Sequence, residues 1–525
     1  MSDPTAPPAK KTSPVASTRV LSVAEMKALD ASADVALDVL IERAGAAVAA
    51  AARSMLKGGS GRNVVVLAGI GNNGADGRAA AKLLTGSGIN VRVIEVSRIA
   101  PAPDAIDLCD LVIDAVHGTG FSGSYRAPNV NGAPVLAVDL PSGLDATSGT
   151  VGATSRVLRA DRTVTFGALK PGLLFGQGPR LAGAVRVVDI GLPPASTEVP
   201  GVHIVTEDIV RHRVERVIAP AGDRHKWSAA VGIVGGSALM AGAPALVASG
   251  AQRGGAGMVV VGTPAMVGAL PVEVVAIALA PNHWAAGALE GTSRCHALVV
   301  GPGLGRSKPV LTSARSFALR APQPIVIDAD AFSALSDEID DDRTMESRRI
   351  EPQSSGLRAV QEAIARRQGV PSVRTETAAP IRPLSAVAVL RGRRVGSTVL
   401  TPHDGEYEIL MGRRPGLDRI AAARDLAAVS GAVVLLKGAT TVVSDAEGRV
   451  ELVRSGDDRL ATAGTGDVLA GIVAAFLAQG LSAFDAAVCG SFVHGAAALR
   501  GTRIGFVASD LPVLVAALLS EWAHS

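Results

Sequence analysis

Short apolar runs recur along the chain at Val64–Ala68, Val91–Val96, Leu111–Val116, Val135–Leu140, Arg162–Phe166 and Val185–Ile190. Segments of crossover length separate the first of them, which predicts a parallel sheet with helices on both faces. A second alternation follows at Val231–Val234, Met258–Val261, Val274–Ala278, Ala297–Val300, Ile325–Ile327, Val399–Leu400, Val433–Leu436 and Thr441–Val443. It predicts another parallel αβα domain, larger than the first. Ahead of both, Ser22 and Glu25 have the spacing of a capping box. Apolar positions at Met26, Leu29, Val35, Leu37 and Leu40 then carry the predicted helix through an Ala-rich stretch to Leu56.

The fold class expected is α/β, with two three-layer αβα domains over residues 19–200 and 205–525. Residues 1–18 are a non-periodic Pro, Ala, Ser and Thr string, read as a flexible, disordered tail. Gly191–Pro200 reads as the linker. Between 336 and 396, Asp340-Asp341-Asp342-Arg343, Arg348-Arg349 and Arg366-Arg367 interrupt the apolar rhythm, and a polar insertion within the second domain is expected there.

Composition narrows the picture. Of 525 residues 48% are apolar, yet only 9 Phe, 3 Trp and 2 Tyr are present, so small aliphatic side chains must fill the cores. A formal charge of +3 gives no electrostatic footprint for nucleic acid. Cys109, Cys295 and Cys489 lie far apart with no CxxC pair, which excludes a disulfide framework and a cysteine zinc site and points to a reducing compartment. Lys10 and Lys11 precede no apolar h-region, and the greasiest stretches, Ala269–Ala280 and Leu511–Leu519, are too short to span a bilayer. A soluble, cytoplasmic protein is expected.

Gly69-Ile70-Gly71-Asn72-Asn73-Gly74 follows a predicted strand and precedes a helix expected from about Arg78, with Glu95 ending the next strand. That is the layout of a dinucleotide cofactor loop. Asp76 opposes that reading, because a carboxylate beside a pyrophosphate weakens the anion attraction of a helix N-terminus. A plain strand-to-helix turn with Asp76 as cap is the simpler alternative. Asp114 and Asp139 end two further strands, and Ser142 follows, so three strand ends deliver Asn72, Asn73, Asp114, Asp139 and Ser142 to one rim. Such an oxygen-rich cluster suits a hard cation and a polar ligand. Lys170, in Gly167-Ala168-Leu169-Lys170-Pro171-Gly172, is read either as a phosphate contact or as an exposed loop lysine.

IERAG (41–45), GNNGADG (71–77), DAVHGTG (114–120) and AVDLPSGLD (137–145) resemble the NAD(P)H-hydrate epimerase family over roughly residues 20–195. The resemblance implies interconversion of the R and S forms of hydrated NADH and NADPH. It places Asn72, Asn73, Gly74, Ala75 and Asp76, with Gly118, Thr119, Gly120, Phe121, Ser122, Gly123 and Ser124, around the hydrate, and Asp139 on the ligand. It assigns Asn73, Asp114 and Ser142 to a potassium ion. Where the family usually has a second glycine, this chain has Ala75. Asp139 is the candidate for moving a proton on the hydrate hydroxyl.

In the second half, Ala461-Thr462-Ala463-Gly464-Thr465-Gly466-Asp467 leads straight into an apolar helix. Small residues let main-chain N–H groups face a phosphate, and Asp467 is placed to take a hydroxyl proton or, more simply, to cap the helix. Lys437-Gly438-Ala439-Thr440-Thr441, Thr401-Pro402-His403-Asp404-Gly405-Glu406, Gly301-Pro302-Gly303-Leu304-Gly305 and Asp328-Ala329-Asp330 each follow a strand. His403 taken alone reads as a structural histidine. No GxxxxGK[ST] loop is present, which argues against a P-loop NTPase.

HKWSAAVGIVGGS (225–237), GPGLG (301–305), DADAF (328–332), TPHDGE (401–406), LKGATT (436–441) and TAGTGDVLAG (462–471) resemble the ADP-dependent NAD(P)H-hydrate dehydratase family from about 205 to 525. That resemblance implies a ribokinase-like fold and dehydration of the S hydrate with ADP and Mg2+, giving AMP and phosphate. By it, Ala243, Gly305, His403 and Asp467 contact the hydrate, while Lys437, Gly438, Ala439, Thr440, Thr441 and Gly466 contact the nucleotide. The expected partners are the hydrates NADHX and NADPHX, ADP and further copies of the chain as a homo-oligomer, with neither nucleic acid nor membrane. The rival reading is a ribokinase-like vitamin kinase carrying a non-catalytic Rossmann-like ligand-binding domain.

Overall fold

The computed structural model describes residues 19–57, 60–193, 201–218, 225–265, 269–336, 385–393 and 397–524. The N-terminal tail, residues 194–200 of the linker and most of the polar insertion lie outside them. The chain divides into two compact units, Met1–Thr206 with Arg449–Leu452, and Glu207–Gly448 with Val453–Ser525.

The first unit holds β1 (Arg19–Val20), β2 (Asn63–Ala68), β3 (Asn90–Glu95), β4 (Leu111–Ala115), β5 (Val135–Val138), β6 (Arg162–Phe166) and β7 (Ala184–Val188). Strands β2 to β7 form a parallel sheet in the order β3-β2-β4-β5-β6-β7. The chain steps from β2 outward to β3, then back past β2 to β4. A crevice therefore opens beyond the carboxyl ends of β2 and β4, where ligands bind in open α/β sheets. One sheet face packs against helices Leu37–Met55 and Asn72–Thr85 through Leu40, Ala44, Val48, Ala49, Ala80 and Leu84. The other is covered by Ile106, Tyr125, Ala127, Leu158 and Ala160.

The predicted N-terminal helix is two helices, Val23–Ala31 and Leu37–Met55. The capping box at Ser22 forms, with Ser22 N donating to Glu25 Oε2 at 2.8 Å and Glu25 N to Ser22 Oγ at 3.2 Å. Ser32 ends the first helix by turning its hydroxyl back onto Leu29 O, a local bond that competes with helix continuation. The helix expected from Arg78 starts instead at Asn72, with Gly71 as its N-cap residue. The glycines of this segment serve close approach: a Cβ on Gly74 would lie 1.8 Å from Gly69 O, and one on Gly77 2.6 Å from Ala115 Cβ. Because the obstacle at Gly74 is main chain, Gly74→Ala is expected to destabilise the first unit by about 1–3 kcal/mol or more, visible as a lowered thermal midpoint, whereas Ala75→Gly is expected to change it little.

Two strands that the pattern does not announce, β8 (Val202–Ile204) and β17 (Val450–Val453), pair in parallel, and β1 pairs antiparallel with β8. Both are too short to carry a recognisable alternation. In the second unit β9 (Ala230–Val234), β10 (Met258–Thr263), β11 (Val275–Ala278), β12 (Ala297–Val300), β13 (Ile325–Ile327), β14 (Thr398–Leu400), β15 (Val433–Leu436) and β16 (Thr441–Ser444) follow the order β16-β15-β14-β13-β12-β9-β10-β11. All pair in parallel except β15 with β16, an antiparallel hairpin across Lys437–Thr440, so the second sheet is not wholly parallel as expected. Its order reverses between β9 and β12, and the glycine loops after these strands meet there: Gly236 N donates to Pro302 O at 2.9 Å. Helix Thr465–Ala478 is buried on nearly every side. Gly471 lets it approach helix Ala243–Arg253, since a Cβ there would lie 2.1 Å from Val247 O.

Candidate active sites

Beyond the carboxyl ends of β2, β4 and β5 lies a cavity of about 1240 Å³, larger than most small-molecule sites. Asn72, Asn73, Asp76, Gly118, Thr119, Gly120, Phe121, Ser122, Gly123, Ser124 and Asp139 all line it. Gly74 and Ala75 do not, so the Ala75 methyl leaves the cavity wall unaltered. Glu95 is ion-paired to Arg78 at 2.9 Å, and Arg78 also donates to Gly69 O at 3.0 Å. The acid that a nicotinamide cofactor loop would turn toward a ribose is thus engaged with the turn itself.

Asp139 sits just past β5 with φ +67, a left-handed conformation that aims its side chain across the strand ends. Its Oδ1 lies 2.7 Å from Lys170 Nζ and accepts from Thr165 Oγ1 at 2.9 Å, while Oδ2 accepts from Thr119 N at 3.3 Å. Lys170 is neither an exposed loop lysine nor free to meet a phosphate. It is 1% exposed and also donates to Thr165 Oγ1 and Phe166 O. Asp76 is 8% exposed and receives no hydrogen bond from the protein. Burial, then the nearby charges of Asp139 and Asp30, push its carboxyl up to about 8. Asp76 is no helix cap: it lies in the second turn of helix Asn72–Thr85. One cavity therefore holds a carboxylate fixed by a cation and a carboxyl that stays protonated at neutral pH.

Asp114 is fully buried in β4. Its Oδ2 accepts from Ser142 N at 2.9 Å, whereas Oδ1 has no partner, and the Asn73 side-chain nitrogen is likewise buried and unpartnered. Burial raises the Asp114 pKa. The Ser142 hydroxyl accepts from Val116 N and His117 N, so it orders the loop after β4. Asp114 Oδ1 and the Asn73 amide are the groups with unused capacity.

In the second unit, Gly464 has φ +89 and opens helix Thr465–Ala478, which puts Gly466 and Asp467 in its first turn. Lys437, after β15, faces that turn: a Cβ on Gly466 would lie 3.7 Å from Lys437 Nζ. The same Nζ is 3.0 Å from Asp328 Oδ1 and 3.4 Å from Glu406 Oε2. Asp467 receives no hydrogen bond. Burial first, then Asp328, Glu406 and Asp330 against the opposing Lys437, bring its pKa to about 7. Gly305 N donates to Asp330 Oδ2 at 2.9 Å, and a Cβ on Gly303 would lie 3.0 Å from the Cβ of Ala243. Gly305 and Ala243 are thereby brought to the β9/β12 reversal. His403 caps helix Asp404–Met411, its Nδ1 accepting from Gly405 N and Glu406 N. Its Nε2 lies 3.5 Å from Glu406 Oε1. Arg419 steadies the Lys437 loop by donating to Lys437 O at 2.8 Å, while Thr441 Oγ1 lies 3.4 Å from Gly438 O.

Several participants have no motif to announce them. Asp30 reaches the first cavity from helix Val23–Ala31, and Thr165 joins Asp139 to Lys170. His494, buried in helix Ala483–Ala498, lies 2.9 Å from Thr465 O, and burial keeps it neutral with a pKa near 4. Each depends on contacts between elements distant in sequence; only the strand-end position of Thr165 was a usable signal. Among the described residues no group of three or more His, Cys, Asp and Glu is arranged to hold a metal ion, and no helix is long and apolar enough to cross a membrane.

A Rossmann-like unit with a cavity of about 1240 Å³ that holds both carboxyl and cationic groups, and a ribokinase-like unit with a cation and an undonated carboxylate at a glycine-rich helix terminus, define a two-site nucleotide-processing enzyme. A family model described as NAD(P)H-hydrate dehydratase matches residues 231–355 and 383–517, and one described as YjeF-related protein N-terminus matches 37–106 and 97–172. The bifunctional NAD(P)H-hydrate repair enzyme of Salinibacter ruber is 33% identical over 83% of each chain. Those of Pyrobaculum aerophilum (32%, over 90% of this chain and 92% of that one) and Mycobacterium tuberculosis (33%, over 81% of each) are also similar. The Bacillus subtilis ADP/ATP-dependent NAD(P)H-hydrate dehydratase, co-crystallized with ATP/Mg2+, is 22% identical, with 62% of this chain and 100% of that chain covered and a TM-score of 0.43. The chain belongs to the bifunctional NAD(P)H-hydrate repair enzyme family, an epimerase unit followed by a dehydratase unit.

Proposed function

We propose that the first unit interconverts the R and S hydrates of NADH and NADPH, and that the second consumes the S hydrate with ADP, yielding NAD(P)H, AMP and phosphate. The observation that carries the reading is Asp467: a carboxylate with no donor of its own, at a glycine-rich helix N-terminus, beside Lys437.

Hydroxide is a poor leaving group, so direct loss of water is slow at neutral pH. Asp467 takes the hydroxyl proton as the hydrate oxygen attacks the terminal phosphorus of ADP. The bond to the bridging oxygen breaks and AMP leaves. Lys437 and the N–H groups of the Gly464–Gly466 turn stabilise the charge on the transferring group. The ring-nitrogen lone pair then expels phosphate, and loss of the neighbouring carbon's proton restores the double bond. Lys437, Gly438, Ala439, Thr440, Thr441 and Gly466 form the nucleotide side of this site, and Ala243, Gly305 and His403 its hydrate side. Magnesium neutralises nucleotide phosphates when bound. Asp328 and Glu406, the carboxylates beside Lys437, would be the residues able to hold it.

In the first cavity Asp139, paired with Lys170 and accepting from Thr165 and the Thr119 N–H, receives the hydroxyl proton, while Asp76 is the protonated group able to donate one. A potassium ion would fit the unpartnered Asp114 Oδ1, with Ser142 ordering Asp114 and the side-chain oxygen of Asn73 able to turn toward it, and its charge would offset that of the buried carboxylate. The three free cysteines suit a reducing, cytoplasmic setting. The expected homo-oligomer is open to light scattering.

A mixture of R and S hydrates incubated with the protein and ADP tests the whole reading. Complete conversion to NAD(P)H with stoichiometric AMP is expected. A surviving phosphorylated product, or conversion halting when the S form is exhausted, would remove the dehydratase or the epimerase assignment respectively.

A further inference from the structure

The cavity of the first unit has two electrostatic ends. Asp76, Asp139 and Lys170 lie at the strand ends, while Ser97, Arg98, Pro101–Asp104, Arg126 and Arg156 form another wall. This wall is built before any ligand arrives. The turn after β3 is closed by Ser97 N donating to Ala100 O at 2.8 Å and Ala100 N to Ser97 Oγ at 3.1 Å. Main-chain bridges join Ala105 to Asn129 and Arg126 to Arg156. The Arg156 guanidinium ties these segments together, donating to Ala127 O at 2.6 Å and Asp104 O at 3.3 Å. Arg156 is thus spent on structure.

Arg98 and Arg126 are not. Each lines the cavity, and neither side chain has a hydrogen bond or ion pair within the protein. Elsewhere in this unit Arg62, Arg78 and Arg92 are matched to Asp110, Glu95 and Asp107, and the exposed, unmatched Arg53 and Arg159 lie away from the cavity lining. Two unmatched guanidiniums on a preset wall, sharing a cavity with the proton-handling carboxyls, need an anion that reaches from one region to the other. Guanidinium forks suit phosphate oxygens.

We propose that Arg98 and Arg126 form a subsite for phosphate groups of the adenosine half of the dinucleotide, anchoring it while the hydrated ring lies at Asp139. The inference rests on the epimerase reading and adds its specificity. Two phosphates share this chemistry: the pyrophosphate bridge of both hydrates, and the 2′-phosphate that only the NADPH form carries.

Isothermal titration of the full-length protein with ADP-ribose and with 2′-phospho-ADP-ribose separates them without requiring turnover. Arg98→Ala and Arg126→Ala are each expected to weaken the cavity's binding about tenfold, the loss shrinking as salt rises. Arg159→Ala removes an exposed charge that does not line the cavity and is expected to bind as wild type. Losses with both ligands assign the pyrophosphate; losses confined to the second assign the 2′-phosphate. In turnover the matching signature is a KM raised about tenfold at unchanged kcat, the mark of binding lost equally from ground and transition states. Superimposable isotherms for the double variant and wild type with both ligands would overturn the subsite. Absence of R-to-S conversion by the wild type, with the isotherms still different, would instead sink the epimerase reading and leave the subsite standing.

Discussion

Asp467→Ala is expected to abolish ADP-dependent recovery of the 340-nm absorbance of NADH, lowering the rate by at least ~10²–10⁴-fold, the usual worth of a positioned proton acceptor. ADP affinity is expected to stay within about threefold of wild type, because Lys437 and the helix terminus remain. The pH dependence gives a second check. With the Asp467 carboxyl near 7, the base form is lost as pH falls, so the wild-type rate climbs to a plateau above about pH 8. One unit below the pKa only about a tenth of the molecules hold the base. Asp467→Asn should lose both the rate and this rising limb. A variant that kept wild-type turnover would show that the reacting hydroxyl loses its proton elsewhere.

Lys170→Met carries the second large expectation. It leaves Asp139 without its cation and Thr165 without a donor, in a site where the two side chains are 1% and 12% exposed. Removing one partner of such a buried pair destabilises by roughly 3–5 kcal/mol, so the first unit should melt earlier in a calorimetric scan. Asp139→Asn also removes a charge from the pair, but its amide oxygen can still accept from Thr165 and Lys170 in place of Oδ1, and only the 3.3 Å bond from Thr119 N is given up. It should stay folded while R-to-S conversion drops by about 10²-fold or more, and consumption of S hydrate by the second site continues. If Asp139→Asn epimerised normally, the proton would have to move through Asp76 alone. If Lys170→Met neither melted earlier nor slowed epimerisation, the Lys170–Asp139 pair would have no bearing on the site.

Much of the molecule was legible because buried parallel strands are written as near-continuous apolar runs. β6, β12, β13 and β15 fall where the runs are. Glycine spacing was legible too, but its meaning was not: Gly69, Gly71 and Gly74 suggested a cofactor loop, whereas Gly74 and Gly77 let a helix start early and press on Gly69 and Ala115. A sequence records that a Cβ is missing without recording what stands in its place. Lys170 shows the same gap. Its Pro/Gly neighbours suggested an exposed loop, and only the fold brings Asp139 within 2.7 Å of it.

By itself the sequence determined the two αβα units, the strand ends that carry Asp114 and Asp139, the glycine-rich helix starts that carry Asp76 and Asp467, and the family to which they belong. These follow from residue order, because strand periodicity and turn chemistry are local. The tertiary structure alone decided which carboxyl is paired and which is proton-bearing: Lys170 reaches Asp139 but not Asp76, and Lys437 is shared by Asp328 and Glu406 beside an undonated Asp467. Charge state depends on burial and on neighbours within a few ångströms, and folding, not sequence adjacency, chooses those neighbours.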